Sequence, residues 1–321
     1  MRRQKMNRLN RAHPPAACGL CAKRATSHEV AFVKTTGGKS VSAAPDSLEQ
    51  IQRKLSNDNL ADLLELWSAE QGRAKKRDLE LIAAALPFSP QQRLRVLDLC
   101  CGPGDVGRAI RSRFPKSRID CVDRDAFLIS ICIGVNCREG ISGNAFLRDL
   151  SSKAWLRELP REYDVVATAN ALHWFKPRRA AALFGEVFQR LRPGGVFVFA
   201  EPASAEKRLA SGFAEWKARE PARYSRENWE RFWSRANELL GYDHTRQLGP
   251  RDPGRIDDRM SVPGWIKLLK NSGFEPIDVL LRDADEVILA GAKPRKFSPS
   301  SRRVLAGKRI GRRKFLPARQ H

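Results

Sequence analysis

Nowhere in these 321 residues do apolar residues run unbroken for the roughly 18 positions that a membrane-spanning helix needs. The opening MRRQKMNRLNRA also lacks the apolar centre of a secretory signal. A soluble, cytoplasmic protein is therefore expected. Acidic residues are scarce: 36 Asp and Glu stand against 59 Lys and Arg, for a net charge of +23. They are scarcest at the two ends. Residues 1–40 carry nine Lys or Arg against Glu29 alone, and residues 293–321 carry eleven against no acid. The chain between them is close to neutral. The polycation thus belongs to two segments poor in large apolar residues, which predicts solvated, disordered arms. Such arms suit nonspecific contact with RNA or another polyanion, adding affinity without base readout, and an anionic membrane surface would attract them too. The acid-free, Arg-rich start is also compatible with a mitochondrial-type presequence.

An even cysteine framework is missing as well, since the seven cysteines are an odd number. Cys100, Cys101, Cys121, Cys132 and Cys137 fall on apolar strands and a helix, where a free thiol behaves as a small hydrophobe, so a reducing compartment is expected. His13, Cys18, Cys21 and His28 could in principle close a tetrahedral zinc site. No second C-x-x-C accompanies them and the spacing fits no familiar finger, so no metal centre is expected.

The organisation follows from periodicity and punctuation. Residues 1–44 form the basic arm, 45–293 one α/β domain, and 294–321 a basic tail. From Asp46 to about Leu86, the positions Leu60, Leu63, Leu64 and Trp67, then Leu79, Ile82 and Leu86, recur at helical spacing until Pro87. Strands and helices then alternate, which predicts a doubly wound parallel sheet of right-handed crossovers. GFEPIDVLL and DEVILAGAK, joined by a short turn, predict a closing hairpin that brings an antiparallel strand to the sheet edge. Residues 202–261 are too long for a simple connection and read as a helical lid insertion. Trp216, Tyr224, Trp229, Phe232 and Trp233 are concentrated there among Arg219, Arg223, Arg226, Arg231 and Arg235. Such a mixture could receive a planar acidic molecule or stack bases, or simply pack an aromatic face with Arg stems along its rim.

The run VLDLCCGPGDVG, residues 96–107, ends an apolar strand in a glycine turn that opens a helix. Gly102, Gly104 and Gly107 satisfy G-x-G-x-x-G, which alone would suggest a dinucleotide crevice. Asp98 and Asp105 argue otherwise: both are expected to face the crevice, where they repel a pyrophosphate and attract a cation. About 20 residues on, SRIDCVDRD ends in Asp123, placed to accept ribose hydroxyls. NAFLRDL ends at Asp149, and YDVVATANALHWF and LRPGGVFVFAEP follow.

In order and spacing these motifs, spread over residues 94 to 293, resemble the class I S-adenosylmethionine-dependent methyltransferases, of the small-molecule type. The resemblance implies a seven-stranded Rossmann-like sheet and S-adenosylmethionine as cofactor. It implies a cofactor site from Asp98, Gly102, Gly104, Asp123, Asp149 and the backbone near Ala169 and Asn170, with Asp149 accepting the adenine amino group. It also implies that the helices before the first strand cover the cleft.

Methyl transfer asks little of side chains, because the sulfonium is already activated and in-line alignment supplies much of the rate. A base is needed only for a protonated acceptor. His173, just past the fourth strand, is one candidate and His244 in the insertion another. The Asn-Pro-Pro-Tyr tetrapeptide of nucleobase and glutamine N-methyltransferases is absent, residues 170–173 being Asn-Ala-Leu-His. No cysteine lies near the fourth-strand loop to act as a nucleophile. The expected activity is methyl transfer to oxygen or carbon of a small-molecule acceptor. An RNA or protein methyltransferase docked by its basic tails, or an inactive cofactor-binding module, are the alternatives.

Overall fold

The structure is a computed structural model that describes residues 46–205, 215, 219, 225–246, 260–283 and 285–295, the side chains of 70–74 excepted. Both basic ends, the set His13, Cys18, Cys21 and His28, and Trp216, Arg223 and Tyr224 lie outside the described residues.

Three strands that are buried through most of their length form the centre. β1 (Arg95–Leu99), β2 (Arg118–Asp123) and β4 (Tyr163–Ala169) are buried almost throughout, as expected for parallel strands covered on both faces. With β3 (Ala145–Leu147), β5 (Leu191–Pro202), β6 (Ile277–Asp283) and β7 (Glu286–Ala292) they make one seven-stranded sheet, ordered β3-β2-β1-β4-β5-β7-β6. β1 to β5 pair in parallel, and β7 is antiparallel to both β5 and β6. The expected hairpin therefore closes one edge, with its antiparallel member β7 inside and β6 outermost. The Arg-Pro-Gly-Gly segment of LRPGGVFVFAEP forms the start of β5 instead of a separate turn before it, absorbed where the register with β4 shifts between Tyr163 and Val165.

α5 (Pro177–Arg190) and α7 (Val262–Asn271) cover one face through Leu183, Phe184, Trp265 and Leu269. The other face is covered by α3 (Asp105–Arg113), by α4 (Ala126–Arg138) and by the C-terminal half of α2 (Asn57–Ala84). A third apolar cluster joins α1 (Leu48–Lys54), the N-terminal half of α2, the outer side of α4 and α6 (Arg226–Leu240). This cluster is the roof over one end of the sheet. Ser225 caps α6 by accepting from the Asn228 N–H, and Gly241 ends it in the left-handed region at φ 80°. Within residues 202–261 the structure describes α6 and one short helical turn at His244–Arg246. Arg235 ties α6 to Asp62 at 2.7 Å and Asn59 at 3.1 Å, and Asn228 donates to the Ala69 carbonyl at 3.1 Å.

Among the described residues no helix is long and apolar enough to cross a membrane. Cys101, Cys121 and Cys132 are buried free thiols as expected, whereas Cys137, near the end of α4, is exposed and disulfide-bonded, contrary to the expectation of a buried free thiol.

Candidate active site

The site is assembled where strand order reverses, between β1 and β4, at the C-terminal ends of the strands. β1 leads into a turn whose backbone enters the left-handed region at Cys100, φ 49°, and again at Gly104, φ 90°, before α3 begins. The third glycine answers a different need. A Cβ on Gly107 would stand 2.8 Å from Ile119 Cγ2 and 3.1 Å from Asp98 Oδ2, so only glycine lets α3 pack this closely on the sheet.

Both acids expected to face the crevice are otherwise engaged. Asp98 is fully buried beneath the turn, where Oδ2 accepts the Gly107 N–H at 2.8 Å and Oδ1 finds no partner among the described residues. Burial pushes its carboxyl well above the ordinary range. Asp105 accepts the Trp67 indole N–H at 2.7 Å and pairs with Arg108. Trp67 thereby lies over the turn, 3.8 Å from where a Cβ on Gly102 would be.

Asp123 ends β2 directly below the turn. Oδ2 accepts the Gly102 N–H at 2.8 Å and Oδ1 the Asp125 N–H at 2.9 Å. Each oxygen retains acceptor capacity for a second donor. Burial lifts its carboxyl to about 6, against the opposing pull of those N–H groups. Asp149, two residues past β3, is exposed and accepts the Ser151 N–H at 2.8 Å. Asn170 follows β4 at φ 54°, a conformation asparagine tolerates, with its N–H on the Ala200 carbonyl at 2.9 Å. The structure therefore brings Gly102, Gly104, Asp123, Asp149 and Asn170 to the same end of the sheet, with Asp98 underneath.

The residue that the sequence reading passed over is Glu201, near the end of β5. It is fully buried and collects four donors: Ala171 N–H at 2.8 Å, Leu172 N–H at 2.7 Å, His173 N–H at 3.3 Å and His173 Nδ1 at 2.7 Å. With three backbone N–H groups already on Glu201, that carboxylate acts as the acceptor, so Nδ1 is the ring edge that donates to it and Nε2 is the opposite edge. The signal was present as an acid closing the apolar run FVFAEP.

His244 has a different setting. It is buried, with Nε2 2.9 Å from Asp125 Oδ1, its ring stacked on Trp233 at 5.8 Å and close to Phe127 and Tyr242. Asp125 Oδ1 also accepts the Phe127 and Leu128 N–H groups and so caps α4. The contact straps the insertion to a helix cap. Phe232 and Trp233 are buried in the roof, while Trp229, 40% exposed, lies beside Trp67 at 5.9 Å. Arg226 and Arg235 pair with Glu230 and with Asp62 and Glu238.

The electrostatic character of the crevice is read from Cys100. Its thiol is raised by burial and then by the carboxylates of Asp123, Glu201 and Asp98, with Arg124 opposing them. The acids Asp123 and Glu201 beside the glycine turn disfavour a diphosphate and favour a ligand that carries positive charge, while Asp98, held toward its neutral form by burial, adds little.

Residues 96–195 match the family described as a methyltransferase domain. The chain is 26% identical over 147 residues to trans-aconitate 2-methyltransferase of Streptomyces avermitilis, covering 43% of this chain and 52% of that protein. It is 26% identical over 105 residues to demethylmenaquinone methyltransferase of Leptospira interrogans, covering 33% and 41%. Its matches thus span about half or less of these relatives' length. A solved structure of human N-acetylserotonin methyltransferase with S-adenosylmethionine aligns over 77% of this chain and 57% of its own, at 16% identity and a TM-score of 0.46.

Proposed function

We propose that this chain, which belongs through residues 96–195 to the class I S-adenosylmethionine-dependent methyltransferases, methylates oxygen or carbon of a small molecule. The observation that carries the reading is the buried Asp123 carboxylate fixed to the Gly102 N–H, with a second buried acid, Glu201, by the same turn. That arrangement fits a diol joined to a cationic sulfur centre. In this reading Asp123 accepts the ribose hydroxyls, Asp149 the adenine amino group, and the backbone of Gly102, Gly104 and Asn170 borders the methionine part. Asp98 works from below by holding Gly107, and hence the turn, in place.

The bound cofactor supplies a methyl group already activated for in-line displacement. The chain's own residues then have three tasks. Trp67 and Trp229 shield the crevice from water and give an aromatic wall to the acceptor. Glu201 fixes the tautomer and direction of His173. His173 Nε2 takes the proton of a hydroxyl acceptor as its oxygen becomes the nucleophile. His244 is assigned to structure, because its accessible edge is consumed by Asp125 and the roof aromatics.

The names of the relatives above, with trans-aconitate and demethylmenaquinone as their acceptors, support a small-molecule acceptor here. The basic ends favour a second reading, in which a macromolecule is docked by residues 1–40 and 293–321. Incubating the chain with labelled S-adenosylmethionine and separated small-molecule, RNA and protein fractions distinguishes them. Label in the small-molecule fraction is expected. Label confined to RNA or protein would overturn the proposed acceptor class, and no label in any fraction would leave a cofactor-binding module.

A further inference from the structure

Three sulfurs meet behind the glycine turn. Cys101 belongs to the turn, Cys121 to β2 and Cys132 to α4, yet their Sγ atoms all lie within 4.8 Å of one another. All three are buried, between 0 and 7% exposed. The site is not sulfur alone. Asn136 Nδ2, one helical turn beyond Cys132, approaches Cys121 Sγ at 3.8 Å and Cys132 Sγ at 3.6 Å. A thiol wants little from an amide donor, but a thiolate or a metal-bound sulfur is stabilised by one.

We propose that Cys101, Cys121 and Cys132 form a three-sulfur site for a soft, closed-shell metal ion, with Asn136 as the outer donor that supports it. Three thiolates bound to one ion of this class stand roughly 4 Å apart, so the present spacing needs only small side-chain adjustments. Among the described residues no fourth His, Cys, Asp or Glu joins the cluster. That suits an ion content with three sulfurs, such as monovalent copper or a heavy divalent ion, better than zinc with its preference for four ligands. On binding, the three thiols give up their protons to solvent and each sulfur donates one pair to the ion.

The location gives the site a consequence. A Cβ on Gly104 would stand 2.9 Å from Cys132 Sγ, and Cys101 is the neighbour of Gly102. An ion held by the three sulfurs would therefore pin the turn to β2 and α4. This inference rests on the sulfur geometry and is independent of the methyl acceptor.

The test uses the full chain carrying Cys18→Ser and Cys21→Ser, which removes the other close cysteine pair, reduced under anaerobic conditions and titrated with cadmium. The expected result is about one equivalent bound, an ultraviolet sulfur-to-metal charge-transfer band, and a first shell of about three sulfurs by X-ray absorption. Cys132→Ala should reduce the band at least tenfold, whereas Cys100→Ser and Cys137→Ser should leave it. The X-ray absorption measurement needs no substitution within the cluster, so it decides even if Cys132→Ala fails to fold. An oxygen- or nitrogen-dominated shell, no saturable binding, or a band that survives in folded Cys132→Ala would overturn the proposal.

Discussion

Asp123 is held by two backbone N–H groups yet stays at about 6, against an ordinary 3.8, because burial outweighs them. The sign of its linkage follows. A carboxyl raised in the folded state binds its proton more tightly there, so between these values the ligand-free fold loses stability as pH rises. A ribose diol reverses the preference, since its hydroxyls bond best to the ionised form. Affinity for S-adenosylhomocysteine, which lacks the sulfonium charge, should therefore rise as pH increases toward about 6 and level off above it. Asp123→Asn should flatten that rise and weaken binding at least tenfold at neutral pH, as calorimetry would read; an unchanged pH profile in the variant removes Asp123 from the site. His173→Gln should lower kcat with KM and melting temperature nearly unchanged. Glu201→Ala should do more, because it strands three backbone N–H groups: a loss of about 3 kcal/mol in denaturant unfolding is expected, beside the fall in kcat. Asp123 and His173 were legible in the sequence because each follows a strand at a spacing with chemical meaning. Glu201 was not, since nothing in one dimension shows that the end of β5 lies against residues 171–173, some 28 to 30 positions earlier.

At the scale of elements, the two tryptophans of α6 separate. Trp229 is partly open beside Trp67, whereas Trp233 is buried against Phe127 and His244. Trp229→Ala should raise KM for the acceptor severalfold in steady-state kinetics while leaving the melting temperature within a few degrees. Trp233→Ala should cost about 3 to 5 kcal/mol of stability. His244→Ala should cost about 3 kcal/mol by stripping Asp125 of its buried partner, with turnover per folded molecule preserved. A His244 variant that folds normally and turns over slowly would return that residue to the chemistry. Continuous apolar runs made β1, β2, β4 and β5 readable, and the helical spacing up to Leu86 made α2 readable, because burial sets both patterns. The engagement of Asp105 was hidden, for its partner Trp67 stands 38 residues upstream on a helix whose docking the sequence does not state.

For the molecule as a whole, the excess charge and the folded unit are separate properties. If the basic ends supply polyanion affinity, heparin binding should fall steeply between about 50 and 200 mM salt. It should nearly vanish on removal of residues 1–40 and 293–321; undiminished binding in the truncated chain would move the anion site onto the folded domain. The roof has a further consequence. α2 precedes the first strand and α6 follows the fifth, so the cover is closed by residues 62 and 235, or 69 and 228, that are strangers along the chain. Several of those ties are partly exposed polar contacts, while β1 and β4 are sealed on both faces. Partly exposed ties of this kind should open before the sealed strands do. In amide hydrogen exchange, β1 and β4 should exchange only through global unfolding, while α6 and the first half of α2 exchange together, sooner, and in step with one another.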